Sequence, residues 1–217
     1  MENIKEIKQA SIQSVPRDGL LLPVMEAFYT VQGEGFYSGH AAYFIRLAGC
    51  DVGCHWCDVK ESWDAEQHPL TALDDIVAGA LAYPGRLVVI TGGEPLIYNL
   101  APLSTKLKAA GFKINIETSG AYPLSGSIDW VCLSPKKFKQ PVTSVLTQAQ
   151  ELKVIVFNKS DFKWAEDYAT KVGPSTRLFL QPEWSRHPEM LPLIIEYVKT
   201  HPKWQISLQT HKYMNIP

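Results

Sequence analysis

Cysteine is scarce in this chain: Cys50, Cys54, Cys57 and Cys132 are the only four in 217 residues. So few argue against a disulfide scaffold, and the lack of a signal peptide or of any long apolar run removes the usual signs of export and membrane insertion. A cytoplasmic protein with no membrane partner is therefore expected. Charge of one sign is not in excess either. Lys and Arg number 21 against 22 Asp and Glu, a net charge of −1, so nothing gives the chain a broad attraction for phosphate backbones, and no direct nucleic-acid partner is expected. Low-complexity tracts and interdomain linkers are missing too, which predicts a single domain over residues 1–217. What is present, 46% hydrophobic and 20% charged residues, suits a globular chain with a substantial core.

Three of the four cysteines fall together, in Gly-Cys-Asp-Val-Gly-Cys-His-Trp-Cys-Asp from Gly49 to Asp58. The spacing C-x3-C-x2-C holds three irons of a four-iron cluster and leaves the remaining iron open to a small molecule. A fully ligated cluster only passes electrons, whereas an open iron supports chemistry on what it binds. Two plainer readings stand beside it. One is a structural zinc site completed by His55, although no second C-x2-C unit exists and His55 lies poorly between Cys54 and Cys57. The other is a set of reduced structural thiols. Cys132, within Asp-Trp-Val-Cys-Leu, reads as a packed thiol on a buried strand.

Short β-rich apolar runs recur at residues 41–47, 87–90, 113–116, 130–133, 152–157, 177–180 and 205–208, each followed by a polar or Gly/Pro cluster. Stretches of helical period lie between several of them, at 73–81 (with Thr71 and Asp74 as a possible cap), 100–110, 161–172 and 189–200. Alternating strands and helices predict parallel pairing through right-handed crossovers. The expected fold class is α/β, a partial (β/α)6-type TIM-like barrel of roughly six strands, because the chain is short for the ~250 residues of a full barrel. Residues 1–12 read as a short N-terminal extension, a polar leader or helix. On such a scaffold ligands gather at the carboxyl ends of the strands, where Thr91-Gly92-Gly93-Glu94-Pro95, Glu117-Thr118-Ser119-Gly120 and Ser134-Pro135-Lys136 fall. Taken singly, each has a structural reading as a tight turn or a helix cap, and the Lys136-Lys137-Phe138-Lys139 run reads equally as a solvated face.

The cysteine motif after one strand and Gly-Gly-Glu-Pro after the next resemble the radical S-adenosylmethionine (SAM) superfamily. In it the three cysteines hold a [4Fe-4S] cluster, SAM chelates the open iron, and reductive cleavage yields a 5′-deoxyadenosyl radical that abstracts a substrate hydrogen. A narrower resemblance spans nearly the whole chain. Phe-Tyr-Thr-Val-Gln-Gly-Glu-Gly from Phe28, Phe-Ile-Arg-Leu from Phe44, and the tail Gln-Thr-His-Lys-Tyr-Met-Asn-Ile-Pro from Gln209 to Pro217 are similar to the 7-carboxy-7-deazaguanine synthase family. That family contracts the ring of 6-carboxy-5,6,7,8-tetrahydropterin, with loss of ammonia, on the way to queuosine and other 7-deazapurines.

The resemblance implies that Arg46 holds the substrate carboxylate, that Val31, Gln32, Gly33 and Glu34 recognise the pterin edge, and that Thr91, His211 and the carboxylate of Pro217 complete the pocket. It implies SAM contacts from Trp56, Cys57, Asp58, Gly93, Glu94, Glu117, Ser119, Ser134, Pro135, Lys136, Gln181, Pro182, Glu183 and Trp184, with Glu94 taking an ammonium. For the proton steps Glu34, Glu117 and His211 are the candidates by chemical type. A homodimer and a flavodoxin-like reductant are further implications. The chain departs from the family at one position. A threonine that ligates Mg²⁺ beside the substrate is replaced by Val59, whose isopropyl group cannot ligate; water or Ser62 would have to substitute, and weak or absent magnesium dependence is expected. Two other readings share part of the pattern, a glycyl-radical-enzyme activating enzyme and a non-enzymatic iron–sulfur electron carrier. The Gln-Gly-Glu-Gly segment and the tail argue against the first, and the open iron against the second.

Overall fold

Period-two alternation, set within runs that look uniformly apolar, organises the molecule. The computed structural model describes residues 11–217; the expected extension over 1–12 lies outside them except for Ser11 and Ile12. Among the described residues nine strands form one sheet in the order β3-β1-β2-β4-β5-β6-β7-β8-β9. They are β1 (Leu21–Val31), β2 (Ala41–Leu47), β3 (Leu70–Ala72), β4 (Leu87–Gly92), β5 (Lys113–Thr118), β6 (Trp130–Leu133), β7 (Glu151–Val156), β8 (Arg177–Pro182) and β9 (Trp204–Ile206). From β2 through β4 to β9 every pairing is parallel, while β1 and β3 add to the β2 edge antiparallel. The helices that lie wholly within the described residues are α1 (Leu73–Leu81), α2 (Ala101–Ala109), α3 (Thr143–Gln148), α4 (Ser160–Ala169), α5 (His187–Thr200) and α6 (Thr210–Met214).

One face of the parallel strands carries Ile45, Leu47, Val88, Ile90, Ile114, Ile116, Leu133, Leu152, Val154 and Leu180, all members of the main core. Each is essentially inaccessible, and burying a Leu, Ile or Val side chain is worth about 1.5–3 kcal/mol. The register puts Arg46 beside Thr91, Val89 beside Asn115, Glu117 beside Cys132, Cys132 beside Glu151, and Ile155 beside Gln181, all on the opposite face. That second face is polar and lines the interior of the curved sheet.

The parallel run has seven strands rather than the six expected, and the sheet remains open. Strand β1 escaped the apolar-run reading because its alternation breaks at a register shift between Val24 and Glu26, which moves every later side chain to the other face. The possible cap of α1 does not form: its N-cap is Ala72, without a side-chain hydrogen bond. After β9 the chain crosses back to the turn that follows β1. Ser207 Oγ accepts from Gly35 N at 2.9 Å, and Thr210 donates to Gly33 O through both N and Oγ1, each at 2.9 Å. The tail thus covers the gap that the open sheet leaves.

Candidate active site

A cavity of about 280 Å³ opens at the carboxyl ends of the parallel strands, and Cys50, Cys54 and Cys57 all border it. The loop that carries them is anchored by backbone bonds from Gly49 N to Ser62 O (2.7 Å) and Cys50 N to Trp63 O (3.2 Å). Asp51 Oδ2 accepts from Tyr122 Oη at 2.5 Å and from Lys139 Nζ at 2.6 Å, clamping the loop from behind. At Gly93 a Cβ would stand 2.4 Å from Gly49 O and 2.8 Å from Cys50 Cβ, so only glycine lets the strand-end turn sit against the first cysteine. Burial pushes the Cys50 thiol up to about 12 and also raises Cys54, so loading a metal displaces their protons.

Among the described residues no group of three or more His, Cys, Asp or Glu side chains is placed to hold a single ion. His55 turns away into a separate cavity of about 80 Å³, edge-on to Phe138 and Phe157 at 5.4 and 5.5 Å between ring centres. Cys132 is buried on β6 and lies outside the cavity lining, the packed position expected of it. The donor set is therefore three thiols around a shared hollow, which fits a cluster with one open iron.

Around this hollow the structure gathers most of the residues singled out from sequence. Trp56, Asp58, Gly93, Glu117, Ser119, Ser134, Lys136, Gln181, Pro182, Glu183 and Trp184 border it together with the thiols. Lys136 Nζ bonds Ser134 O at 2.8 Å and Ser134 Oγ at 2.6 Å, and lies 5.5 Å from the centre of the Trp56 ring. Pro135 faces the small cavity instead. Glu94 is a correction. Its carboxylate, 1% exposed, does not reach the cavity and is not free for an ammonium: Oε1 accepts from Leu96 N (3.0 Å) and Thr118 Oγ1 (2.5 Å), and Oε2 from Ser119 N (2.8 Å) and Ser119 Oγ. Four donors fill a carboxylate's four acceptor sites. Glu94 thus staples the end of β4 to the end of β5. Glu94→Ala would strand several buried donors and is expected to cost about 3–5 kcal/mol, a fall of roughly 6–20 °C in Tm measured by calorimetry.

Val31, Gln32, Gly33, Glu34, Arg46, Thr91, His211 and Pro217 border the same hollow. Glu26, the cross-strand neighbour of Arg46, takes Arg46 Nε at 2.5 Å, and among the described residues the two terminal guanidinium nitrogens have no partner. Phe28 and Phe44 stack there at 5.4 Å, 3° from parallel. Burial pushes His211 below its ordinary value against the opposing pull of Glu34, so its imidazole is neutral at neutral pH. Thr30 Oγ1 donates to Pro217 O at 3.4 Å. Sequence reading missed Lys153. Its ammonium lies on the cavity wall between Glu34 and Glu117, and the available signal was a lysine within the otherwise apolar run 152–157.

Comparison with known proteins accords with this architecture. The 7-carboxy-7-deazaguanine synthase of Flavobacterium psychrophilum is 57% identical to the chain over 206 residues, covering 95% of this chain and 98% of its own. That of a Synechocystis strain is 48% identical over 194 residues, covering 89% and 93%. The crystal structure of QueE from Escherichia coli superposes with a TM-score of 0.80 at 32% identity, over 88% of this chain and 95% of that one. No family model matches the chain.

Proposed function

The chain belongs to the 7-carboxy-7-deazaguanine synthase family of radical SAM enzymes, and from that premise we propose that it contracts the ring of 6-carboxy-5,6,7,8-tetrahydropterin to 7-carboxy-7-deazaguanine with release of ammonia. The observation that carries the reading is the convergence of three thiols and a polar strand face on one cavity. Cys50, Cys54 and Cys57 would hold the cluster, and Trp56, Gly93, Glu117, Ser119, Ser134 and Gln181, which border the same cavity, would hold SAM. When bound, the cluster and SAM supply one-electron cleavage and hydrogen-atom abstraction.

The protein's own residues bind, orient and exclude water. Arg46 receives the pterin carboxylate on its two terminal nitrogens, an arrangement that suits a planar fork whose third nitrogen is already held by Glu26. Gln32, the backbone at Gly33, Glu34 and Thr91 address the polar edges of the ring. His211, carried on the tail and held below its ordinary value by burial, offers an uncharged imidazole that can accept a proton, as a general base requires. The tail over the mouth of the site keeps solvent from the reacting carbon. The activating-enzyme and electron-carrier readings explain neither the carboxylate fork nor the polar inner face.

Magnesium does not fit the residues present. Val59 offers only methyl groups to the cavity. Ser62, 1% exposed and absent from the cavity wall, donates its hydroxyl to Val59 O at 2.7 Å. Asp58 Oδ2 is 3.2 Å from Lys212 Nζ, a resident cation. Catalysis is expected to proceed without steep activation by Mg²⁺. The test is an anaerobic assay of the reconstituted protein with dithionite, SAM and the pterin, with and without magnesium after chelator treatment. 5′-Deoxyadenosine together with the deazaguanine establishes the synthase; 5′-deoxyadenosine alone sends the search to another substrate; strong magnesium activation overturns the reading of Val59.

The chain works in this proposal as one radical SAM domain, as a cytoplasmic homodimer reduced by a flavodoxin-like protein. Among the described residues no helix is long and apolar enough to cross a membrane.

A further inference from the structure

Lys153 is one of the most deeply buried charges in the molecule, its side chain 3% exposed on the inner face of β7. Its ammonium contacts Glu34 Oε2 at 2.5 Å and Glu117 Oε2 at 2.9 Å. The two carboxylates come from separate parts of the chain, the turn after β1 and the end of β5. They are tied together further through Gln32, whose Oε1 accepts from Glu34 N at 3.1 Å and whose Nε2 donates to Glu117 Oε1 at 3.4 Å. Gln209 of the tail closes the network by donating to Glu34 Oε1 at 2.9 Å. A buried lysine is expensive unless well paired, and two carboxylates facing one hollow repel unless a cation stands between them. Each half of this arrangement stabilises the other.

Glu34 lies among the residues assigned to the pterin, and Glu117 among those assigned to SAM. We propose that Lys153 is a positioning residue that couples the two halves of the site, holding Glu34 and Glu117 together at the cavity wall so that pterin and SAM are received on one ion-paired frame. The inference rests on the synthase reading. Its chemical content is that a carboxylate must be ionised to accept hydrogen bonds from the ring N–H and amino groups of a pterin; once protonated it presents a donor to donors.

The groups that face this frame decide how it responds to pH. Glu34 meets Lys153 from β7 and Gln209 and His211 from the tail, while Lys153 also meets Cys132 from β6, Glu117 from β5 and Glu151 from its own strand. Burial pushes Glu34 up, but Lys153, with smaller help from Gln209 and His211, brings it down to about 2. Glu151, raised by its own burial and with Oε1 unpartnered, is the carboxyl of the group that holds a proton more readily. Removing the ammonium leaves the burial of Glu34 largely unopposed, so its folded pKa rises and it protonates as pH falls. Pterin binding by such a variant weakens toward acid and recovers toward base, whereas the native protein holds Glu34 ionised throughout the working range.

The test compares reconstituted native enzyme with Lys153→Met and Lys153→Arg. Three quantities are read between about pH 6 and 9: KM against kcat for the pterin, SAM affinity by equilibrium binding with and without pterin, and the pH profile of kcat/KM. Native enzyme is expected to bind SAM more tightly with pterin present; expected for Lys153→Met is a rise of about 10- to 100-fold in the pterin KM, larger than any fall in kcat, with loss of that enhancement and a new acid limb in the profile. Lys153→Arg, which restores a cation, should remove that limb. A Lys153→Met enzyme with native KM, or one equally impaired at every pH with SAM and pterin still enhancing each other, overturns the proposal. Should that variant fail to take up its cluster, Lys153→Gln carries the same comparison. Failure of the synthase reading is distinct, because native enzyme would then form no deazaguanine at all.

Discussion

Alanine at position 46 is expected to raise the KM for the pterin acid by roughly two orders of magnitude while leaving cluster content and thermal stability near native values. Truncating one partner of a desolvated charge pair costs about 2–5 kcal/mol, and each 1.4 kcal/mol is tenfold. The stability term is small because the partner left behind, Glu26, has a side chain 45% exposed and returns to water. Arg46 Nε is occupied by Glu26, but its two terminal nitrogens have no partner among the described residues, so the lost free energy is that of ligand recognition rather than of fold. Lysine should rescue poorly, since a point charge lacks the two-pronged geometry. Steady-state kinetics on the reconstituted enzyme decides it. An unchanged KM would remove Arg46 from the substrate site, and a collapsed Tm would make it a structural residue.

The second large effect lies at Gly33. A Cβ there would stand 2.2 Å from His211 Nδ1 and 2.7 Å from His211 N. The ring could rotate aside; the backbone nitrogen cannot, because Thr210 N and Oγ1 both hold Gly33 O at 2.9 Å. Gly33→Ala is therefore expected to lift the tail, taking His211, Gln209 and Pro217 out of the cavity together. A displacement of about 1 Å at a reacting centre costs on the order of a hundredfold, so kcat/KM should fall at least that far. Cluster absorbance should persist, and limited proteolysis should cut the tail faster than in the native protein. Native activity with a protected tail would mean that the neighbouring chain absorbs the methyl group and that the tail does not close the site.

The sequence was most legible where local chemistry decides structure. The runs at 41–47, 130–133 and 73–81 coincide with β2, β6 and α1 to the residue, because apolar stretches bounded by turn-forming residues leave little choice of ends. The bulge in β1 hid an eleven-residue strand, and β3, at three residues, is too short to carry a period. The site divides along the same line. Cys50, Cys54 and Cys57 are fixed by spacing within one loop, and their meaning survives any tertiary detail. Glu94 and Glu117 look alike in sequence, each at a strand end among small polar residues. One is saturated by four internal donors while the other borders the cavity, and only the approach of β5 to β4 makes that difference.

The sequence by itself thus determined the three-thiol motif, the alternation of strand and helix, and the resemblance of the turn after β1 and of the tail to one enzyme family, because these reside in residue type and short spacing. Only the tertiary structure decided which polar residues face the hollow, that Lys153 stands between Glu34 and Glu117, and that the tail lies against Gly33. Those contacts join segments up to 177 positions apart, and a side chain's face in a sheet depends on strand register, which one residue of slip reverses.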